Sequence, residues 1–297
     1  MPSVPPRRTP APPPGVSDPL TPLLDLPGVR EAVGRARTAC EDLRWHEAFR
    51  RRWREVRAEA DLRAARASAA VDGARVPLEL LRGVAPGTAP GASDVEADLR
   101  IAAGSLRATV LAAGWRPDLG GRSAPMLPPL GQVLARLHAA AGAGWLPDAD
   151  LGRVRADGVP PQDLGGLGPA PAGGEVAERI ALLTRTVAAA GAPALLVAAV
   201  VHGEVLALRP FVAGNGLVAR AVARMLLTGW GLDPTGAVVP EVAWSGTPHP
   251  YLAAAARFAT GAPEGVAAWV AGCADATVAG VTEGRVVADA VLAGRLG

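Results

Sequence analysis

Residues 208–220, with the sequence LRPFVAGNGLVAR, have the residue types of an anion-binding loop. Gly214, Asn215 and Gly216 tolerate positive φ, so consecutive backbone N–H groups can point into one concavity. Asn215 is also the only asparagine in the chain. A helix that begins at these glycines presents unpaired N–H groups and a partial positive charge, which favour a phosphate or another anion. An ordinary turn between two helices is the alternative, since Gly-Asn-Gly is common turn chemistry.

Two apolar helices must position this loop. The pattern predicts a buried helix over residues 194–208 and a second over 217–228, which carries Arg220 and Arg224 one turn apart. Pro210 cannot continue the first helix, and it should push Arg209 toward extended geometry. The loop therefore lies between two buried helices.

The rest of the chain also reads as helices separated by loops rich in Gly and Pro. Residues 35–72 contain neither Gly nor Pro, so we expect one long amphipathic helix there, with room for one break. Between 142 and 174 the pattern allows a hairpin at most. The further predicted helices are 77–82, 94–113, 130–141, 175–190, 250–260, 264–279 and 285–293. The predicted fold class is nearly all-α.

Composition divides the chain into three regions. Residues 1–27 are rich in proline and predict a disordered tail, 28–113 form an N-terminal helical region, and 114–297 contain the core and the C-terminal helices. These boundaries make the LRPFVAGNGLVAR loop part of the third region.

Charge and cysteine content limit the classes of partner and compartment. The chain has 30 basic residues, all arginine, against 28 acidic ones, and this balance argues against a nucleic-acid binder. The two cysteines, Cys40 and Cys273, lack metal-ligand spacing, which fits a reducing cytosol. The longest apolar run, 187–201, falls short of the ~20 residues that span a membrane. We therefore expect a cytoplasmic protein that binds neither nucleic acid nor membrane.

The loop resembles the signature of Fic-domain proteins, H-x-F-x-(D/E)-G-N-G-R-x-x-R. Other segments resemble further parts of that family in the same order: Leu137-His138, Gly152-Arg153-Val154-Arg155 at the start of a substrate-binding flap, and His202 on the helix before the signature. Upstream, Ser68-Ala69-Ala70-Val71-Asp72-Gly73 resembles the inhibitory helix motif, (S/T)-x-x-x-E-(G/N). The resemblance covers roughly residues 60–269. It implies a Fido-like helical core with a small flap and an N-terminal helical extension.

The resemblance also implies roles for individual residues. The loop would bind the phosphates of ATP or another nucleotide, and the upstream motif would regulate that binding through a salt bridge between Asp72 and Arg220. An ordinary Asp-Gly turn at a helix end is the alternative for Asp72. The implied nucleotide- or phosphate-binding residues are Arg209, Gly214, Asn215, Gly216 and Arg220, and the implied regulatory residues are Ser68, Asp72 and Gly73.

Three positions depart from the family signature. Arg209 replaces the histidine that serves as general base, and a guanidinium with a pKa above about 12 cannot accept a proton near neutral pH. Ala213 replaces the acidic Mg²⁺ ligand, and Leu217 replaces a phosphate-binding arginine. No catalytic residue and no metal site are therefore expected. Arg209 could neutralise a phosphate or pair with another group, and His202 is expected to pack in the core rather than replace the base.

These observations predict a Fic/Fido-domain protein with a degenerate loop that binds a nucleotide or phosphate group without ordinary AMP transferase activity. The first alternative is a divergent transferase that moves a nucleotidyl or phosphoryl group to a hydroxyl of a target protein. The second is an interaction protein whose helices bind a protein partner.

Overall fold

The computed structural model describes residues 18–84, 94–121, 126–162 and 164–295. Within these ranges the chain forms eleven α-helices and no β-strand. The helices are α1 (Val29–Leu43), α2 (Trp53–Val71), α3 (Leu78–Arg82), α4 (Asp94–Ala113), α5 (Leu130–Gly142), α6 (Gly173–Ala189), α7 (Ala194–Leu208), α8 (Asn215–Gly229), α9 (Glu241–Gly246), α10 (Pro248–Ala259) and α11 (Pro263–Leu292). The helical fold class expected from the sequence is confirmed.

The centre of the molecule is the helix pair α7 and α8, which the loop at 209–214 connects. Nearly every residue of both helices is buried. They pack against each other, while α10 and α11 cover α7, and α4 and α5 cover α8. Because α7 is apolar around its whole circumference, it requires neighbours on all sides. The loop is thereby fixed at both ends by the most deeply buried helices of the fold.

The long helix expected over residues 35–72 is two helices, α1 and α2, separated by a short 3-10 turn at Glu47–Arg50. No Gly or Pro marks this break. Instead, Nδ1 of His46 accepts a hydrogen bond from the backbone N–H of Ala48, at 3.3 Å, and caps the turn. The break lets α1 pack on α11 while α2 packs on α4 and α9.

The C-terminal region corrects the expectation of two helices over 264–279 and 285–293. Residues 263–292 form one helix, α11, and its glycines mark close packing rather than an interruption. A Cβ at Gly280 would lie 2.7 Å from the backbone of Val239 and Pro240, and one at Gly284 would lie 2.6 Å from the carbonyl oxygen of Ala237. Both positions therefore require glycine.

Helix α11 is long and apolar enough to cross a membrane by length and composition, and it is the one described helix with that property. Its apolar 18-residue window is 56% buried inside the fold, against α1, α10 and other helices. This is the packing of a core helix, which satisfies its apolar surface with protein neighbours.

The disordered tail expected over residues 1–27 does not extend to residue 27. Thr21–Asp25 forms a 3-10 helix, and Leu20 is buried in the main hydrophobic core. Proline at the start of this turn is compatible with helical geometry. The proline-rich composition therefore placed the predicted end of the tail too far along the chain. Residues 1–17 lie outside the described part of the chain. The boundary predicted at residue 113 between two regions stays a prediction.

Candidate functional site

Asn215 closes the loop on itself. Its Oδ1 accepts a hydrogen bond from the backbone N–H of Phe211 at 2.9 Å, and its Nδ2 donates to the carbonyl oxygen of the same residue at 2.8 Å. Asn215 is completely buried, and Gly214 before it has a φ of +75°. The side chain thus shapes the concavity in which the first backbone N–H groups of α8 lie. This explains why an asparagine occupies the position.

His138 on α5 contacts the loop through its ring face and a ring nitrogen. Its ring stacks on Phe211, with centroids 3.9 Å apart and an angle of 2° between the planes. Its Nε2 lies 3.0 Å from the carbonyl oxygen of Ala213, and its Nδ1 accepts a hydrogen bond from the backbone N–H of Gly152 at 2.9 Å. Burial lowers the pKa of His138 to about 4. The ring is therefore neutral at pH 7, with its proton on Nε2, and it joins the end of the loop to the segment that begins at Gly152.

The predicted salt bridge between Asp72 and Arg220 is present. Oδ1 of Asp72 lies 2.7 Å from Nη2 of Arg220. Arg220 also donates to Ser68, through Nε to the hydroxyl at 2.7 Å and through Nη2 to the carbonyl oxygen at 3.0 Å. Its third neighbour is the hydroxyl of Tyr251, 3.5 Å from Nη1. Arg220 has no exposed surface, so a phosphate cannot reach it in this arrangement.

The end of α2 directs Asp72 into the site. Gly73, with a φ of +97°, ends the helix, and the backbone N–H of Ala74 donates to the carbonyl oxygen of Ala69. Asp72 is consequently the C-terminal cap of α2, where the helix dipole disfavours a negative charge. Its carboxylate lies against the N-terminus of α8 instead, where a negative charge is favoured. Gly216 permits this approach, because a Cβ there would lie 2.6 Å from Oδ1 of Asp72.

Burial and the ion pair act in opposite directions on Asp72. Burial raises the pKa of the carboxyl group, Arg220 lowers it, and burial prevails. Burial alone would lower the pKa of Arg220, but Asp72 and Tyr251 raise it, and the guanidinium stays charged. The site therefore holds a permanent cation beside a carboxylate that is costly to keep ionised.

His202 lies in the core, as the sequence predicts. It is 1% exposed, its Nε2 is 2.7 Å from the hydroxyl of Tyr251, and its ring contacts Trp244 and Trp269. Burial and the charge of Arg220 lower its pKa well below the usual value. His202 is thus a neutral hydrogen-bonding partner in the protein interior, without the solvent access that a general base for a target hydroxyl requires.

The residues that replace the metal ligand and the second phosphate contact are part of the packing. Ala213 is 7% exposed and offers only a carbonyl oxygen, which faces His138. Leu217 is 2% exposed and belongs to the main core. In the described ranges, no group of three or more His, Cys, Asp or Glu side chains could hold a metal ion. The donor set at the loop does not fit Mg²⁺, which prefers carboxylate and other oxygen ligands.

Arg209 does not adopt the extended geometry expected before Pro210. Its φ of 44° and ψ of 65° place it in the left-handed region, where it caps the end of α7. Its Nη2 donates to the carbonyl oxygen of Gly168 at 2.8 Å, and the residue is 5% exposed. The side chain is therefore directed to the segment before α6.

Residues 152–162 and 164–172 lie across the loop and are called the strap below. The hairpin expected in this region is an irregular segment without strands in its described part, 152–162 and 164–172. Nε of Arg155 donates to the carbonyl oxygen of Arg209 at 2.8 Å, and the backbone N–H of Arg155 donates to that of Pro210 at 2.9 Å. The backbone N–H of Gln162 donates to the carbonyl oxygen of Val212 at 2.7 Å. The strap thus donates hydrogen bonds to three carbonyl oxygens of the loop, those of Arg209, Pro210 and Val212.

No protein-family model matches the sequence. No curated protein matches it either. Solved structures do match the fold. A Fic family protein from Desulfovibrio desulfuricans G20 has a TM-score of 0.70 at 19% identity, over 89% of this chain and 75% of that one. Residues 134–508 of Fic-1 from C. elegans have a TM-score of 0.63 at 16% identity, over 91% of this chain and 76% of that one.

A third match is a Fic domain containing signaling protein from Bacteroides thetaiotaomicron VPI-5482. It has a TM-score of 0.62 at 14% identity, over 87% of this chain and 98% of that one. These likenesses establish a Fic/Fido-type fold and confirm the resemblance found in the sequence.

Several site contacts could not be found from the sequence motifs alone. Tyr251 lies 31 residues beyond Arg220 in the chain, and Gly168 lies in a segment without periodicity. The supporting role of His138 had a signal, the Leu-His pair, but its two hydrogen bonds depend on how α5 packs on α8. Long-range packing supplies these partners.

Proposed function

We propose that this Fic-fold protein binds a phosphate-containing ligand, such as a nucleotide, at residues 214–220, in competition with the Asp72 carboxylate and without ordinary AMP transfer. The observation that carries the proposal is the position of that carboxylate, 2.7 Å from Arg220 and against Gly216 at the N-terminus of α8. This is where a fixed cation and the helix dipole both favour a negative charge. A phosphate oxygen has the chemistry to replace it.

The chemistry of the loop supports binding rather than transfer. A target hydroxyl must lose a proton during transfer, and the protonated guanidinium of Arg209 cannot accept it. Ala213 has no side-chain oxygen to hold Mg²⁺ against the phosphates. The neutral ring of His138 contacts the loop, and both of its nitrogens form hydrogen bonds to backbone groups. The ligand would therefore be held by backbone N–H groups and Arg220.

Titration calorimetry with ATP, ADP, AMP and inorganic phosphate, each with and without Mg²⁺, tests the proposal. We expect Asp72→Ala to bind a phosphate-containing ligand roughly tenfold to a hundredfold more tightly than the natural chain, because a charge-assisted contact to Arg220 becomes available. Added Mg²⁺ should change the affinity little.

A matched control is Asp275→Ala, which removes a carboxylate paired with Arg35 at 3.1 Å on the exposed surface. Its affinity should equal that of the natural chain. Equal affinity in all three proteins, or binding that requires Mg²⁺, would contradict the proposal. If none of the proteins binds any of the ligands, the interaction-protein alternative is favoured.

Transfer is tested separately with ATP labelled on the α-phosphate. We expect no label on the chain itself or on added proteins, for the natural sequence and for Asp72→Ala alike. Covalent label that disappears in Arg209→Ala would instead support the divergent transferase, in which a phosphate-containing group moves to a hydroxyl of a target protein.

A further inference from the structure

Several hydrogen bonds join the strap to the loop, and some of them come from the charged side chain of Arg155. Besides the three backbone acceptors already described, the guanidinium of Arg155 lies 3.4 Å from the carbonyl oxygen of Leu208 and also donates to those of Val159 and Pro171. These contacts hold the first half of the strap. The second half is held to the loop by Arg209, whose Nη2 donates to Gly168 at 2.8 Å. Arg209 thus belongs to the loop but binds the strap.

The backbone is strained on both sides of this junction. Among the described residues, Arg209 and Leu164 are the two non-glycine residues with positive φ, at 44° and 56°. A left-handed conformation is unfavourable for side chains with a Cβ, and it persists only where surrounding contacts enforce it. One of the two residues lies in the loop and the other in the strap. The closed arrangement therefore depends on contacts that compensate for strain.

We propose that Arg209 is a latch that holds the strap closed over the loop. Arg209 stands where the family signature has histidine, and a histidine side chain is shorter and carries no fork of donors.

Hydrogen exchange of the ligand-free protein tests the latch. The backbone amides of Arg155 and Gln162 donate across the junction, so they report whether the strap is closed. We expect Arg209→Ala to accelerate exchange of both amides by roughly tenfold or more, because the variant loses at least the charge-assisted hydrogen bond to Gly168. Arg209→Lys should give an intermediate rate, because an ammonium group can still donate to Gly168.

Limited trypsin digestion gives a second readout. The chain has no lysine, so trypsin cleaves only after arginine, and Arg153 is exposed near the start of the strap. Cleavage after Arg153 should become faster in Arg209→Ala and stay unchanged in Arg185→Ala, which removes an exposed arginine on α6. Unchanged exchange and cleavage in Arg209→Ala would overturn the latch.

Discussion

Helix α2 and its C-terminal cap carry two carboxylates that each pair with a buried arginine of α8, and the two pairs differ in what surrounds them. Oδ1 of Asp61 lies 3.1 Å from Arg224, and Oδ1 of Asp72 lies 2.7 Å from Arg220. Asp61 also binds Arg116, so that one carboxylate serves two guanidinium groups. Asp72 has one guanidinium partner in the described structure. The same pairing of residue types, one helical turn apart on α8, thus appears in two environments.

The surroundings show what each pair does. Arg224 also donates to the carbonyl oxygens of Gly236 and Val238, which ties α8 to the segment before α9. The Asp72 pair lies against Gly216 and the N-terminus of α8, where another anion could take the place of the carboxylate. The first pair therefore fixes the packing, and the second occupies the position proposed to bind a phosphate.

The largest effect is expected when the Asp61–Arg224 pair is broken. Asp61→Ala leaves Arg116 and Arg224 buried without their shared carboxylate, and this should lower the free energy of unfolding by about 3–5 kcal/mol. Urea unfolding followed by circular dichroism measures the change. Asp275→Ala, at an exposed pair, should change stability by less than about 1 kcal/mol. A loss at Asp61 no greater than at Asp275 would remove the distinction between a buried and a surface pair.

A smaller effect is expected at the second pair. In Asp72→Ala, Arg220 keeps its hydrogen bonds to Ser68 and Tyr251, so we expect the free energy of unfolding to fall by about 1–3 kcal/mol. The same urea experiment should recover part of this loss when phosphate is added, because a ligand of the folded state stabilises it. A loss as large as that of Asp61→Ala would show that both pairs are structural.

The smallest effect is the pH dependence of the Asp72 pair. Because burial raises the pKa of this carboxyl group above its unfolded value, the folded state binds more protons there than the unfolded state. The favourable contribution is complete below the unfolded value of 3.8 and is lost as the pH rises through the folded value. The stability of the natural chain relative to Asp72→Asn should therefore increase as the pH falls toward 4. Urea unfolding of both proteins at a series of pH values tests this, and an opposite slope would mean that Arg220 outweighs burial.

Much of the helical core follows from local sequence. The predicted bounds of α4 and α7 match the structure, and those of α5, α6 and α8 differ by at most two residues at either end. Helices α4, α5, α6 and α8 have apolar periodicity, α7 is a continuous apolar run, and all five end at or close to Gly or Pro. The Asp72–Arg220 contact was also accessible, since the motifs that contain the two residues resemble parts of one family.

The remaining features depend on tertiary contacts that local sequence does not encode. The break between α1 and α2 contains no Gly or Pro, and the glycines of α11 serve close packing on Val239 rather than ending a helix. Arg209 is left-handed, although a residue before proline favours extended geometry. Its hydrogen bond to Gly168 on the strap is one of the contacts that hold it there.

Tyr251 gives this protein a single natural probe of its most buried arginine. It is the only tyrosine in the chain, and its hydroxyl lies between Arg220 and His202. Isotope labelling of tyrosine would thus yield one aromatic NMR spin system per molecule, located beside the guanidinium that the Asp72 carboxylate holds. Exchange of that carboxylate for another anion would be observable from inside the core, without any added chromophore or engineered residue.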